Sequence, residues 1–459
     1  MNMIYDQFIH SSLDLSALGL DDITAINQDR VAPGNARVLA WLTDSGVCFC
    51  QFPEQADTVY ASDCSALPEE QLLPVAKNIL DFIGLLVRCK DAALIARSYQ
   101  WSSIRFRELS ETTVAGIKTR SVIRALENTY HPPVIDDPGA MMAELRKEHL
   151  EAPEVRKAEW NVGFETDFSA SDFKGKAGTE LPLNKTVSRK EGTWHIPSIY
   201  LCNDGIVADT ILEVSADRIE EFRSIWSGRS EESLSQSDKL QRQLDDPLTA
   251  AVTGILTVND KPLRCKKCFT AIWNPLGDNT AQVRQILNHY KLDPDCGYLF
   301  RRYCFLRKGK YPQIRTMQLT LEAVPVMVPE EGFTVQENGG RFRFIHPSTG
   351  LEHIFTVTDL SQEALNPNFL TNHPCFYTRM TYSLEPSISP ENFRIVDQKP
   401  SDFWEGYQDD PASVIYADRK PDPGRYALSS LHYEPQDQVC WQMIFRRKIC
   451  KDLNLQLLP

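Results

Sequence analysis

The sequence lacks the long apolar runs that membrane-spanning helices need. Among its 459 residues, the longest apolar stretches, such as 79–87 and 324–328, are interrupted or far shorter than the roughly 20 residues that cross a bilayer. The amino-terminal segment also lacks the basic start and the uninterrupted apolar stretch of a secretion signal. We therefore expect a cytoplasmic protein without a membrane partner.

The sequence also lacks the common motifs of nucleophilic, nucleotide-dependent and zinc-protease chemistry. It has no Gly-x-Ser-x-Gly turn, no phosphate-binding Walker loop, no Gly-x-Gly-x-x-Gly after a strand and no His-Glu-x-x-His helix. These absences favour a non-enzymatic protein without a cofactor. An enzyme that lacks a recognisable motif stays open as an alternative.

Twelve cysteines are spread along the chain, and we expect most to be reduced thiols in apolar cores. The best metal candidate is the pair Cys265 and Cys268, whose spacing would allow both thiolates to bind one zinc ion. Cys296 and Cys304 are the second pair, but seven residues separate them, where a zinc ribbon has about two to four. We therefore predict no metal site and keep these four cysteines as the alternative.

A second group of possible ligands consists of histidines near a predicted turn. His346 and His353 would face each other if Thr349 and Gly350 form a two-residue hairpin turn, and His373 could then complete a cluster. Histidines beside turns are common, and no acidic ligand stands at a characteristic spacing here. Solvated or hydrogen-bonded histidines are the preferred interpretation.

The composition is that of a folded protein with an acidic surface. Hydrophobic residues make up 42% of the chain, charged residues 24%, and the net charge is −13, with the acidic excess in the first and last thirds. At about 150 residues per domain, the length predicts roughly three domains. We predict an α+β fold whose last domain is a β-sandwich or half-barrel. The predicted ranges are an α+β domain at 1–150, a connector at 151–190, a strand-rich domain at 191–328 and a β-rich domain at 329–459.

Short runs of turn-forming residues between apolar segments predict β-hairpins. Such runs occur at 43–46, 203–205, 259–260 and 337–340. A helix is predicted between Leu72 and Leu86, because the apolar residues there follow the spacing of one helical face.

The segment 38–109 combines paired strands, a short acidic turn and a further strand at Val59 and Tyr60, followed by a helix. The helix contains the sequence Leu73-Pro74-Val75-Ala76, then Phe82 and Leu85-Leu86. This order resembles the SMI1/KNR4 (SUKH) superfamily. The resemblance implies a protein-binding module, since many such domains look like immunity proteins that neutralise toxins, and it implies no specific site residue. The remainder resembles uncharacterised bacterial proteins, which implies no function.

The most unusual segment, 296–321, holds six basic residues and no acidic one. Its candidate binding residues are Arg301, Arg302, Arg307, Lys308 and Lys310. Aromatic residues alternate with them, at Tyr298, Phe300, Tyr303, Phe305 and Tyr311.

Three interpretations of this basic segment differ in what they expect to be exposed. A β-hairpin with a buried aromatic face and a solvated basic face would have the same composition without any function. A basic surface could bind an acidic surface of the first domain or of a partner protein. Cations next to exposed aromatic planes would favour single-stranded nucleic acid. We predict a non-enzymatic protein-interaction protein, including the immunity type that the resemblance implies, with a nucleic-acid-associated protein as the alternative.

Overall fold

The structure is a computed structural model of the 459-residue chain. It describes residues 3–21, 23, 30, 32–53, 57–63, 66, 71–151, 160–168, 175–307, 314–365, 374–400, 402 and 425–458. Helices and antiparallel sheets are both abundant, which confirms the predicted α+β class. Among the described helices, none has the length and apolar composition needed to span a membrane.

The described helices are mostly short and concentrated in the first third of the chain. They are α1 (Met3–Ile9), α2 (Ile79–Cys89), α3 (Ala92–Ala96), α4 (Ser103–Thr112), α5 (Ile117–Tyr130), α6 (Pro138–Glu151), α7 (Ala216–Trp226), α8 (Gln236–Asp245) and α9 (Ala281–Tyr290).

The described strands continue almost to the end of the chain. They are β1 (Leu20–Asp21), β2 (Arg37–Leu42), β3 (Cys48–Gln51), β4 (Val59–Ser62), β5 (Leu72–Ala76), β6 (Thr179–Arg189), β7 (Gly192–Leu201), β8 (Gly205–Val214), β9 (Val252–Val258), β10 (Lys261–Leu263), β11 (Cys265–Trp273), β12 (Gly297–Leu306), β13 (Met317–Ala323), β14 (Val326–Thr334), β15 (Arg341–Ile345), β16 (Glu352–Ala364), β17 (Phe376–Glu385), β18 (Phe393–Asp397), β19 (Arg425–Leu428), β20 (Cys440–Arg447) and β21 (Leu453–Leu458).

The chain forms two compact units that are interleaved in sequence. Unit 1 comprises Met1–Ile219 and Arg264–Pro312, and unit 2 comprises Glu220–Leu263 and Gln313–Pro459. This division differs from the predicted series of three consecutive domains. The predicted middle domain is shared between the units, because 220–263 belongs with the last third of the chain and 264–312 with the first.

The amino-terminal part of unit 1 is a five-stranded antiparallel meander, in the order β1-β2-β3-β4-β5, packed against helices. The turn at 43–46 joins β2 to β3, as predicted. Leu72–Ala76 forms strand β5 and not the start of a helix, because it pairs with β4. Helix α2 begins only at Ile79, where the Asn78 side chain accepts a hydrogen bond from the backbone N–H of Asp81.

The second sheet of unit 1 is also antiparallel, in the order β11-β12-β8-β7-β6. The turn at 203–205 joins β7 to β8, which confirms that predicted hairpin. The second half of the predicted connector is strand β6, which forms one edge of this sheet. Helix α9 packs on the sheet through Val283, Ile286 and Leu287.

Hydrogen bonds join the start of helix α4 to the loops around this second sheet. The backbone N–H of Ser103 donates to Asp295 Oδ1 at 2.7 Å, and the Ser103 hydroxyl donates to the other oxygen of the same carboxylate. The indole N–H of Trp101 donates to Asp278 Oδ1 at 3.0 Å. These hydrogen bonds join the amino-terminal helices of unit 1 to its second sheet, although residues 220–263 of unit 2 interrupt unit 1 in sequence.

Unit 2 is strand-rich and contains sheets in the orders β10-β9-β13-β21, β14-β20-β18 and β15-β16-β17-β19. The last two share one aromatic core, in which Phe355 and Tyr382 of one sheet join Trp441 and Phe445 of the other. This two-sheet packing fits the predicted sandwich. The turn at 259–260 joins β9 to β10, as predicted. The hairpin predicted around 337–340 is wrong, because β14 pairs with β20 and β15 pairs with β16.

One buried titratable group in unit 2 lies between two carboxylates. His432 is 3% exposed, with Nε2 at 3.9 Å from Asp397 Oδ2 and Nδ1 at 3.4 Å from Asp402 Oδ2. Asp397 and Asp402 raise the pKa of His432 above its ordinary value, against the effect of burial. The protonated imidazole therefore stabilises the fold of this region.

We predict that this histidine makes stability depend on pH. Because the folded-state pKa of His432 is raised, its contribution is fully present below the unfolded-state pKa of about 6.5 and is lost as pH rises through the folded-state pKa. The difference in the free energy of unfolding between wild type and His432→Gln should therefore shrink as pH rises. Urea unfolding of both proteins at pH values from about 5.5 to about 9 measures this difference. The range begins about one unit below the ordinary pKa of histidine and extends well above it. A constant difference would contradict the prediction.

Candidate functional site

Of the five predicted binding residues, the structure describes Arg301, Arg302 and Arg307, and these three do not share one exposed surface. Arg301 is half-buried, with Nη1 at 3.4 Å from the Tyr303 hydroxyl, and Arg307 is half-buried at the end of β12. Lys308 and Lys310 lie outside the described residues, as does Tyr311. The predicted hairpin between 296 and 321 does not form either, because β12 pairs with β11 and β8, whereas β13 pairs with β9 and β21.

Arg302 lies in the core of unit 1. Its guanidinium contacts both oxygens of the Asp209 carboxylate, with Nε–Oδ1 at 2.8 Å and Nη2–Oδ2 at 2.7 Å, and neither residue is more than 1% exposed. Burial lowers the pKa of Arg302, but the charge and hydrogen bonds of Asp209 more than offset this and leave the pKa raised. The prediction that Arg302 belongs to an exposed basic surface is therefore wrong, because a buried partner neutralises its charge.

A chain of hydroxyl groups leads from this ion pair towards the surface. The Tyr290 hydroxyl donates to Asp209 Oδ2 at 2.7 Å and lies 3.0 Å from the Tyr200 hydroxyl, which in turn donates to Glu180 Oε1 at 3.3 Å. Burial raises the pKa of Tyr290 well above its ordinary value, so its hydroxyl stays protonated near neutral pH and can donate this hydrogen bond. The network stabilises the sheet and holds no group poised as a nucleophile.

Aromatic rings of the segment 160–168 cover the same arginine. The Arg302 guanidinium lies over the rings of Phe168 and Trp160, at 4.5 and 5.5 Å from their centroids. Trp160 stacks on His289 at 4.3 Å, and its indole N–H donates to the Tyr200 hydroxyl. These contacts exclude solvent from the ion pair, so we assign Arg302 and Asp209 a structural role.

The aromatic residues of β12 are buried on both faces of the sheet. Tyr298, Phe300, Tyr303 and Phe305 are each at most 1% exposed. Stacking on nucleic-acid bases requires an accessible ring face, and these four rings have none. This burial agrees with the structural interpretation of the aromatic residues and removes the main support for a single-strand binding surface.

The four cysteines of the alternative metal site do not converge. Cys296 precedes β12 and Cys304 lies near its other end, eight residues further along an extended strand, which corresponds to roughly 26 Å. Burial raises the pKa of Cys296 to about 11 and that of Cys304 to about 12, so both are protonated thiols at neutral pH. Across the described residues, no group of three or more histidine, cysteine or acidic side chains could hold a metal ion.

The structure brings together two of the three predicted histidines. His346 and His353 face each other with ring centroids 5.8 Å apart, on either side of the turn that joins β15 to β16. His346 Nδ1 accepts a hydrogen bond from the backbone N–H of Ser348, and His353 Nδ1 lies 2.7 Å from the Pro386 carbonyl oxygen. His373 lies outside the described residues. Backbone groups therefore account for one ring nitrogen of each histidine.

Strand β11 is one edge of the second sheet of unit 1 and carries exposed basic side chains, of which Lys266 is paired with Glu165 at 2.7 Å. The exposed side chains are those of Lys266, Lys267, Cys268, Thr270 and Ile272, which we call the β11 edge. No described strand pairs with the outer side of β11, and neither β11 nor β12 contains an acidic residue. In the sequence, this segment stands out only for its cysteines. The exposure of β11 follows from its place at the edge of the sheet, and no local sequence pattern indicates that place.

No protein-family model, curated protein or solved structure matches the chain. The resemblance of 38–109 to the SMI1/KNR4 (SUKH) superfamily therefore stays a prediction. In the structure this segment contains strands β2–β5 and helices α2–α4.

We predict that breaking the buried ion pair is far more costly than breaking an exposed one. Asp209→Asn should lower the free energy of unfolding by about 3–5 kcal/mol, because it leaves the Arg302 charge buried without its counter-charge. The double change Asp209→Leu/Arg302→Met should recover most of this loss. Urea unfolding followed by circular dichroism measures all three proteins.

The matched control is the exposed pair Lys77–Glu144, whose side chains are 44% and 59% exposed. Glu144→Gln should cost less than about 1 kcal/mol. If Asp209→Asn cost no more than this control, the structural importance that we assign to the buried pair would be refuted.

Proposed function

We propose that this chain is a cytoplasmic, non-enzymatic protein that binds an acidic surface of another protein through the β11 edge. The observation that carries the proposal is the combination of an outer strand with which no described strand pairs on its outer side, five exposed side chains and no acidic residue in β11 or β12. In a chain of net charge −13, such a surface differs in sign from the chain as a whole.

The exposed side chains provide both apolar and charged contact area. Ile272 is 43% exposed, and Lys267 lies with its ammonium 4.5 Å from the centroid of the Phe269 ring. Protein interfaces commonly combine an apolar centre with charged groups around it. The basic end of β11 would select acidic partners and the apolar end would contribute burial.

The cytoplasmic part of the proposal rests on the cysteines. The thiols of Cys89, Cys268 and Cys304 form no disulfide, which is typical of a reducing compartment. The implied kinship with protein-binding SUKH modules supports the same class of function, and it concerns the amino-terminal sheet instead of β11.

The test is capture of partner proteins from a nuclease-treated extract of the native cell. Lys267→Glu/Thr270→Glu reverses or adds charge at two exposed positions of the β11 edge, and exposed charges contribute little to stability. We expect this variant to recover at least about tenfold less of the partners that wild type captures, because like charges at the contact oppose binding. Quantitative mass spectrometry of the eluates measures the recovery.

The control places the same charge change on the opposite edge of the same sheet. Lys185→Glu/Ser188→Glu alters two exposed residues of β6 and should capture partners as wild type does. Equal capture by all three proteins would disprove the β11 edge as the interface. Loss of every partner on nuclease treatment would instead favour a nucleic-acid-dependent association.

A further inference from the structure

The two edges of the second sheet of unit 1 differ in how well they are protected against further pairing. An edge strand leaves alternate backbone N–H and C=O groups without a neighbouring strand. Strand β6 is interrupted by Pro182, which has no N–H, by a bulge between Pro182 and Lys185, and by Asn184 at a φ of 50°. These features prevent regular addition of another strand at that edge.

Strand β11 has a regular edge instead. Its irregularity is confined to Cys265–Lys267, and seven consecutive residues from Lys267 to Trp273 pair in register with β12. The strand contains no proline, and Phe269, Thr270 and Ile272 are residue types that favour extended structure. The backbone of β11 is therefore prepared to accept one more strand on its outer side.

The side chains at this edge select the chemistry of the added strand. Lys267 and Phe269 lie on one face of β11, and Cys268, Thr270 and Ile272 lie on the other, because side chains alternate along a strand. A neighbouring strand would place alternate residues beside these two sets. Acidic side chains would be favoured next to Lys267, and β-branched apolar side chains next to Ile272.

We infer that the partner binds by strand addition: an extended segment with alternating acidic and β-branched residues extends the five-stranded sheet beyond β11. This inference rests on the proposed function and specifies how the β11 edge acts. Main-chain hydrogen bonds to β11 would supply affinity, and the alternation of side chains would supply specificity. Lysine at the start of the strand opposes cationic segments and additional copies of β11 itself.

The probe is a fluorescein-labelled, capped octapeptide of alternating glutamate and valine, titrated against the full chain and followed by fluorescence anisotropy. It should bind, and the lysine–valine peptide of equal length should not. Lys267→Glu/Thr270→Glu should weaken binding by at least about tenfold, whereas the β6 control Lys185→Glu/Ser188→Glu should leave it unchanged.

N-methylation separates strand addition from binding by side chains alone. A strand added to one edge uses the N–H groups of alternate residues, so methylating the amides of every valine or of every glutamate removes different sets. We expect one methylated peptide to bind like the parent and the other to lose binding. Equal retention or equal loss by the two peptides would overturn strand addition.

Two further outcomes distinguish this inference from the proposed function. If the β11 variant loses partner capture while the two N-methylated peptides behave alike, strand addition is refuted and the binding surface stands. If the peptide binds as expected while partner capture is unaffected by the β11 variant, the proposed function fails. A wild-type dimer in sedimentation experiments that the β11 variant dissociates would assign the edge to a second copy of the chain and overturn the inference.

Discussion

The ion pair between Arg302 and Asp209 is the constraint on which the second sheet of unit 1 depends. The two residues are direct cross-strand neighbours in β12 and β8, and both are buried. A slip of β12 by one residue would turn Arg302 to the opposite face and leave Asp209 without its counter-charge. The pair therefore fixes the register at the centre of the sheet, and the aromatic rings of 160–168 pack around it in turn.

The same register decides which positive charges can meet a partner. Alternation along β12 places Arg302 among the buried rings of Phe300 and Tyr298, and places Arg301 beside Tyr303 on the other face. A run of arginines and aromatic residues therefore contributes mostly to the core. The accessible charge lies one strand further out, at Lys267, because Lys266 is already paired with Glu165 at 2.7 Å. Composition alone therefore points to the neighbouring strand and not to the exposed one.

Local signals in the sequence predict local structure well and non-local pairing poorly. The turns at 43–46, 203–205 and 259–260 each join strands that pair, because a hairpin connects neighbouring segments. The turn at 337–340 does not, because β14 pairs with β20 near the end of the chain. The helix predicted from Leu72 does not begin there for a related reason. Over five residues, the helical and extended patterns of apolar residues overlap, and pairing with β4 selects the extended conformation.

The site was predictable only in part. Asp209 is the first charged residue of the mostly apolar strand β8, before Glu213, and two adjacent arginines interrupt the apolar strand β12. Because charged residues are rarely buried without a partner, a buried ion pair could have been inferred from these surroundings. Strand order has no comparable signal. Once the buried pair joins β12 to β8, only the other side of β12 can accept β11, and β11 becomes the outermost strand. The structural ion pair and the proposed binding edge are thus two consequences of one strand order.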